Sequence, residues 1–369
     1  MAWGAAARGC RGMHEGPGGP EATDRVPTFN GITRATIMLR LFALLLGIFS
    51  CTCVRAQVPA ADTSAFRGLL AEERADPWVY RGDDGSYYFI ATVPAYDRIV
   101  LRRADSVAGL AEAEEHTVWT KHPGGEMSAH IWAPELHRID GTWYIYFAAG
   151  EAEDIWKIRI WVLSNDNPDP LRGEWKEEGQ VRTERDGFAL DATTFAHGGR
   201  NYLIWAEREG DGTSLILSEM SDPTTLTGPQ VVITSPDFSW ERSKYNVNEG
   251  PAVLEHGGRR FVTYSASATN DSYAVGLLWM DAEADPLDPA NWHKSPGPVF
   301  YSNAEVDRYG PGHNSFTTDA AGNLLMIYHA RDYKEIDGPE LENPDRATYV
   351  RPIRWTAAGF PDFRQLEGN

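Results

Sequence analysis

The chain has 369 residues, enough for one large core or two ordinary ones, and its 42% hydrophobic and 11% aromatic content excludes a disordered, low-complexity polypeptide. Its net charge of −19 would repel nucleic acid and anionic membranes but not a neutral glycan, although solubility alone also accounts for it. With 13 Trp and 15 Tyr, the composition suits a β-rich fold or a carbohydrate-facing surface.

In chain order, the first 56 residues differ from the rest. Residues 1–37 are rich in Gly, Ala and Arg without apolar periodicity and read as a non-native or unstructured extension. The stretch "MLRLFALLLGIFSCTCVRAQ" then supplies Arg40, an apolar run from Leu41 to Phe49 and a V-R-A site before Gln57. This predicts a secretory signal over residues 38–56, starting at Met38 and too short to span a bilayer. The expected mature chain is one domain over residues 57–369, secreted or periplasmic. Cys51 keeps lipid anchoring open as an alternative, although the bulky Phe49 fits such a site poorly. Cys10, Cys51 and Cys53 are the only cysteines, so neither disulfides nor thiolate metal sites hold the mature chain. The leader carries six of the 34 basic and three of the 53 acidic residues, and its removal leaves a charge of about −22.

Five similar stretches follow: "DPWVYRGDDGSYYFIATV" from Asp76, "WAPELHRIDGTWYIYFAAG" from Trp132, "DATTFAHGGRNYLIWAER" from Asp191, "EGPAVLEHGGRRFVTYSAS" from Glu249 and "HNSFTTDAAGNLLMIYHA" from His313. Each reads as a tight hairpin: a short apolar run, a Gly turn and an aromatic-rich second run. Further strand-like runs lie between them, "RIVLRRA", "IRIWVLS", "SLILSEM" and "AVGLLWM", and complete four strands per unit. Near-equal spacing of five such units predicts an all-β, five-bladed β-propeller in preference to a sandwich or jelly roll, with each unit opening on a strand that lines the central channel.

Counted from the turns, Asp76, Trp132, Asp191, Glu249 and His313 fall at the same channel-mouth position. Three carboxylates brought together there repel one another, a cost usually met at functional sites. Asp-Pro and Glu-Gly are also ordinary turn chemistry, which is the other account of these residues. Two carboxyls flanking a scissile bond, one protonated and one ionised, are what glycoside hydrolysis needs, and a third can orient the acid.

The set "RADPWV", "WAPELHRIDGTWYIYF", "LDATTF", "NEGPAVL" and "GHNSF" resembles glycoside hydrolase family 43 over essentially the whole mature chain, most nearly its exo-acting α-L-arabinofuranosidase members. The resemblance implies that Asp76 is the general base, Glu249 the general acid and Asp191 the carboxylate that tunes the acid. It implies inversion at the anomeric centre, with the two working carboxyls about 6.5–9.5 Å apart. The implied substrate is terminal arabinofuranose on plant cell-wall arabinan or arabinoxylan. β-Xylosidase, endo-arabinanase and a non-catalytic carbohydrate-binding propeller are the alternatives. His313 resembles the family's axial histidine, near an ion, often calcium, or a water; a core histidine with ordinary hydrogen bonds is the competing reading. The chemistry itself calls for no cofactor. For sugar contacts, Trp132 is the leading stacking candidate, with Trp78 and Phe195 behind it. His130 is a hydrogen-bonding candidate and Arg346 a substrate-reaching arginine, for which Arg351 and Arg354 compete. Glu135 in "APE" reads as structural.

Overall fold

The computed structural model describes residues 67–364. The expected extension, signal and Cys51 lie outside the described residues. Twenty strands form five four-stranded antiparallel blades, and a small hairpin, β21 (Arg354–Trp355) with β22 (Pro361–Asp362), follows them. The chain opens with β1 (Gly68–Ala71). Blade I is β2 (Ala75–Arg81), β3 (Tyr87–Thr92), β4 (Arg98–Ala104) and β5 (His116–Thr120). Blade II is β6 (Ala129–Ile139), β7 (Thr142–Gly150), β8 (Arg159–Asn165) and β9 (Lys176–Gln180). Blade III is β10 (Ala189–His197), β11 (Arg200–Glu209), β12 (Gly212–Asp222) and β13 (Thr225–Thr234). Blade IV is β14 (Asn246–His256), β15 (Arg259–Ala266), β16 (Ala274–Asp281) and β17 (His293–Lys294). Blade V is β18 (Tyr309–Thr318), β19 (Leu324–Arg331) and β20 (Ala347–Pro352), completed by β1. Among the described residues the only helices are three short 3₁₀ turns. The architecture is the predicted five-bladed β-propeller.

The turns explain the hairpins. Gly198-Gly199 and Gly257-Gly258 take positive φ at both central positions (+58° and +75°; +59° and +77°), the backbone that a two-residue hairpin loop requires. Because each blade is sandwiched between two others, both faces of its middle strands are covered. β3 is buried along its whole length, and "YLIWA" within β11 is nearly so. Apolar side chains accordingly gather at the five junctions between neighbouring blades. Trp143 with Ile90 and Ile99 marks the junction of I and II, and Trp205 with Tyr146 that of II and III. Tyr264 with Leu217 marks III and IV, Phe261 with Met326 IV and V, and Leu70 with Ile327 and Val79 V and I.

Ring closure uses the two ends of the described chain. β1 runs antiparallel to β20, pairing Gly68 with Val350 and Leu69 with Tyr349, so the outer strand of the last blade comes from the start of the domain. The hairpin pattern did not reveal this, because β1 has no hairpin partner next to it in sequence.

Every innermost strand carries the same irregularity at its start. The ladder register shifts between Ala75 and Trp78, Trp132 and Glu135, Leu190 and Thr193, Glu249 and Ala252, and Gly312 and Ser315. The left-handed residue at each bulge is Asp76 (φ +55°), Ala133 (+43°), Asp191 (+56°), Gly250 (+55°) and His313 (+42°). This corrects the equivalence expected from the turns: Trp132 and Glu249 stand one residue before the bulge position. In blades II, III and IV the left-handed residue stands seven positions before a two-residue turn (Ala133 before Asp140, Asp191 before Gly198, Gly250 before Gly257), so an alignment on Trp132 and Glu249 lies one residue early.

Candidate active site

The bulges bend the backbone at the channel mouth and re-aim side chains into one cleft of about 1160 Å³. Asp76, Asp191, Glu249, His313, Arg346, Trp132 and His130 all line it. A bulge takes an amide out of the strand ladder, and four of the five are satisfied by a side chain from the preceding blade in the ring. Asp76 N–H donates to His329 Nδ1 of β19 (3.0 Å), and Ala133 N–H to Thr92 Oγ1 of β3 (2.7 Å). Gly250 N–H donates to Asp191 Oδ2 (3.0 Å), and His313 N–H to Ser265 Oγ of β15 (2.7 Å). The strain of left-handed backbone at the mouth is thus locked by neighbouring blades.

Asp76 is buried, and burial by itself would raise its pKa. Arg346, His313 and hydrogen bonds together outweigh that effect, Arg346 contributing most, and the carboxyl is held well below the usual range. Arg346 Nη1 lies 3.3 Å from Asp76 Oδ1, His313 Nδ1 lies 3.2 Å from the same oxygen, and Thr92 O–H donates to Oδ2 at 2.7 Å. Thr92 accepts from Ala133, so its own proton is directed at Asp76.

Asp191 and Glu249 move the opposite way. Burial pushes Asp191 up to about 8, with repulsion from Glu249 and Asp76 adding to it against the pull of His313. Burial raises Glu249 too; Tyr273 O–H, donating to its Oε1 at 2.7 Å, and His313 oppose the shift, and the Asp76 charge reinforces it. One cleft therefore holds an ionised carboxylate beside two carboxyls that favour a proton. Gly250 leaves room here: a Cβ would stand 3.1 Å from the His313 ring, and the backbone is left-handed.

His313 connects the set. Burial would depress its pKa, but Asp191 and Asp76 outweigh it and raise the imidazole to about 10. Its Nδ1 faces Asp76 and lies 3.9 Å from Asp191 Oδ2. Among the described residues no group of three or more His, Cys, Asp or Glu has metal-holding geometry.

Blade II supplies an aromatic wall. Trp132 stacks on His130 (4.2 Å, 22°), and Trp156, half exposed at the rim, packs on both. His130 Nδ1 is 2.8 Å from the Ile155 carbonyl oxygen, and burial lowers its pKa against that hydrogen bond. A flat apolar face beside polar groups is what a sugar ring needs.

Two expected stacking residues lie elsewhere. Trp78 donates its indole N–H to the Leu136 carbonyl oxygen and packs on His137 between blades I and II. Phe195 stacks on Tyr202 with the Arg260 guanidinium over its ring. Both stand farther along their strands than the acids, and at about 3.3 Å per residue they have left the mouth. Of the three competing arginines only Arg346 reaches the cleft; Arg351 donates to the Phe363 and Arg364 carbonyls, and Arg354 is exposed. Glu135 pairs with His137 at 2.9 Å in the interior, as its structural reading expected.

Sequence reasoning missed Thr92, Tyr273, His329, Trp156 and Tyr96, a cleft residue whose hydroxyl accepts from Arg346 Nη2 at 3.4 Å. For His329 a signal existed: a lone histidine inside the apolar run "LLMIYHA" of a central strand.

A propeller whose mouth sets one ionised carboxylate against two protonatable ones beneath an aromatic wall defines a glycoside-hydrolysing protein. The family model for glycosyl hydrolases family 43 matches residues 67–361, and the chain belongs to that family. It is 56% identical over 292 residues to the "Extracellular exo-alpha-(1->5)-L-arabinofuranosidase" of Streptomyces chartreusis, covering 78% of this chain and 89% of that protein. To the protein of the same name from Streptomyces avermitilis it is 48% identical over 335 residues, 89% of this chain and 70% of that one. The crystal structure of an α-L-arabinofuranosidase from Lactobacillus brevis superposes with a TM-score of 0.79 at 46% identity, covering 81% of this chain and 96% of that chain.

Proposed function

We propose that the protein is a secreted, exo-acting α-L-arabinofuranosidase that hydrolyses terminal α-L-arabinofuranosyl units of arabinan- or arabinoxylan-type glycans with inversion. The observation that carries this reading is the convergence of Asp76, Asp191 and Glu249 in one cleft, with the first held ionised and the other two pushed toward their protonated forms. The names of the Streptomyces and Lactobacillus relatives support the sugar and the end-acting mode. Secretion is supported by the signal-like leader and by the word "extracellular" in the Streptomyces names.

In this reading Asp76 takes a proton from a water as that water attacks the anomeric carbon, while Glu249 gives its proton to the departing glycosidic oxygen. Asp191, which accepts the Gly250 amide beside Glu249, orients the acid before the step. Arg346 and His313 keep the base ionised, and Trp132 presents its face to the furanose. No step runs through a metal.

The leaving group provides the test. Glu249→Gln should lose about 10²–10⁴-fold in kcat on an α-1,5-arabino-oligosaccharide and much less on a 4-nitrophenyl arabinofuranoside, whose leaving group departs without a proton. Asp76→Asn should lose activity on both substrates. Full activity of Glu249→Gln on the oligosaccharide would overturn the assignment.

A further inference from the structure

Asp76 belongs to blade I and Glu249 to blade IV, and the structure joins them through two residues with no part in the chemistry just described. Asp76 N–H points at His329 Nδ1 (3.0 Å). An amide can only donate, so Nδ1 accepts and the imidazole proton sits on Nε2. His329 is 1% exposed, and burial lowers its pKa to about 3, so the ring is neutral throughout the working range. Its face lies parallel to that of Tyr273, with centroids 5.6 Å apart and planes within 5°. Tyr273, also buried, donates its phenolic proton to Glu249 Oε1 at 2.7 Å. The stack exists because the residue opposite His329 in the ladder is Gly312: a Cβ there would meet the Tyr273 ring at 2.3 Å.

We propose that His329 and Tyr273 act as one positioning unit that sets the placement of Asp76 relative to Glu249, His329 by holding the backbone of the base and Tyr273 by occupying one oxygen of the acid. This rests on the assignment of Asp76 as base and Glu249 as acid. Inversion needs room for one water between base and sugar, so the relative placement of the two carboxyls decides whether attack and proton donation coincide. The neutral imidazole is essential to the device. Protonated at Nδ1, it would leave the Asp76 amide without an acceptor in a left-handed turn. With Oε1 of Glu249 taken by Tyr273, Oε2 is left to carry the transferable proton.

The two halves have separable signatures. His329 acts on the base, so His329→Leu should lower kcat about 10²-fold on both the oligosaccharide and the nitrophenyl glycoside, with KM little changed. His329→Asn, whose side-chain oxygen can accept the same amide, should recover most of that loss. Tyr273 acts on the acid, so Tyr273→Phe should slow the oligosaccharide far more than the nitrophenyl glycoside. It should also move the alkaline limb of kcat/KM upward by about one pH unit, the hydrogen bond to the carboxylate being lost. Glu249 is faced by Tyr273 from its own blade, by Asp191 from blade III, by Asp76 from blade I, and by His313 and Arg346 from blade V, and all but Tyr273 are intact in this variant. Gly312→Ala displaces the Tyr273 ring without removing a hydrogen-bonding group and should shift the limb the same way; it carries the test if His329→Leu fails to fold. Wild-type kcat in folded His329→Leu, or an unmoved alkaline limb in both Tyr273→Phe and Gly312→Ala, overturns the proposal. Either result, obtained while the wild type releases arabinose and Glu249→Gln does not, leaves the functional reading intact; an inactive wild type would refute that reading instead.

Discussion

Asp76 and Glu249 are both buried carboxyls, and their neighbours send them in opposite directions. The base works above its pKa, which Arg346 and His313 hold well below the usual carboxylate range against burial; the acid works below its pKa, which burial raises. Both displacements widen the active window. A kcat/KM profile should therefore show a plateau through mildly acidic pH and fall on the alkaline side as Glu249 loses its proton, while the acid limb lies below the ordinary carboxylate value. Arg346→Gln removes the largest influence lowering the pKa of Asp76 and should move the acid limb upward. A rate-pH series on both proteins checks this, and an unmoved acid limb would refute the part given to Arg346. At this scale the sequence exposed the three acids, His313, Arg346 and Trp132 through their motifs. Thr92 and Tyr273 escaped because each serves a bulge or an acid elsewhere in the fold, and adjacency in sequence carries no trace of it; His329 showed as a lone histidine in an apolar run, without any sign of its partner.

Hairpins were readable because Gly-Gly and Asp-Gly turns and alternating apolar runs are local properties. Trp78 and Phe195 were misread for a reason that belongs to the element: an aromatic on an innermost strand faces the cleft at or before the bulge, and past it the side chain faces a neighbouring blade. β1 shows a second limit of local reading. It is four residues long, and only pairing with β20 gives it a role. Burying Leu70 is worth about 2 kcal/mol, and without β1 the edge of β20 would be left open to other chains. A chain starting at Glu72 should therefore lose at least about 5 °C in Tm and scatter light on warming. Unchanged thermal denaturation would mean that the ring closes without β1.

Across the whole molecule no blade holds a core of its own, because the apolar clusters lie between blades. Unfolding should consequently be one transition, with calorimetric and van't Hoff enthalpies in agreement; two resolved endotherms would show that some blades stand alone. The sequence by itself determined the β class, the number of blades and the residues able to do acid-base chemistry, because strand periodicity, turn glycines and motif residues are written locally. Only the tertiary structure decided which side chains share the cleft, which carboxyl is ionised and which keeps a proton. Those depend on burial and on charges a few ångströms away that come from Arg346, His313, His329 and Tyr273, residues brought beside the acids only when five sheets close into a ring.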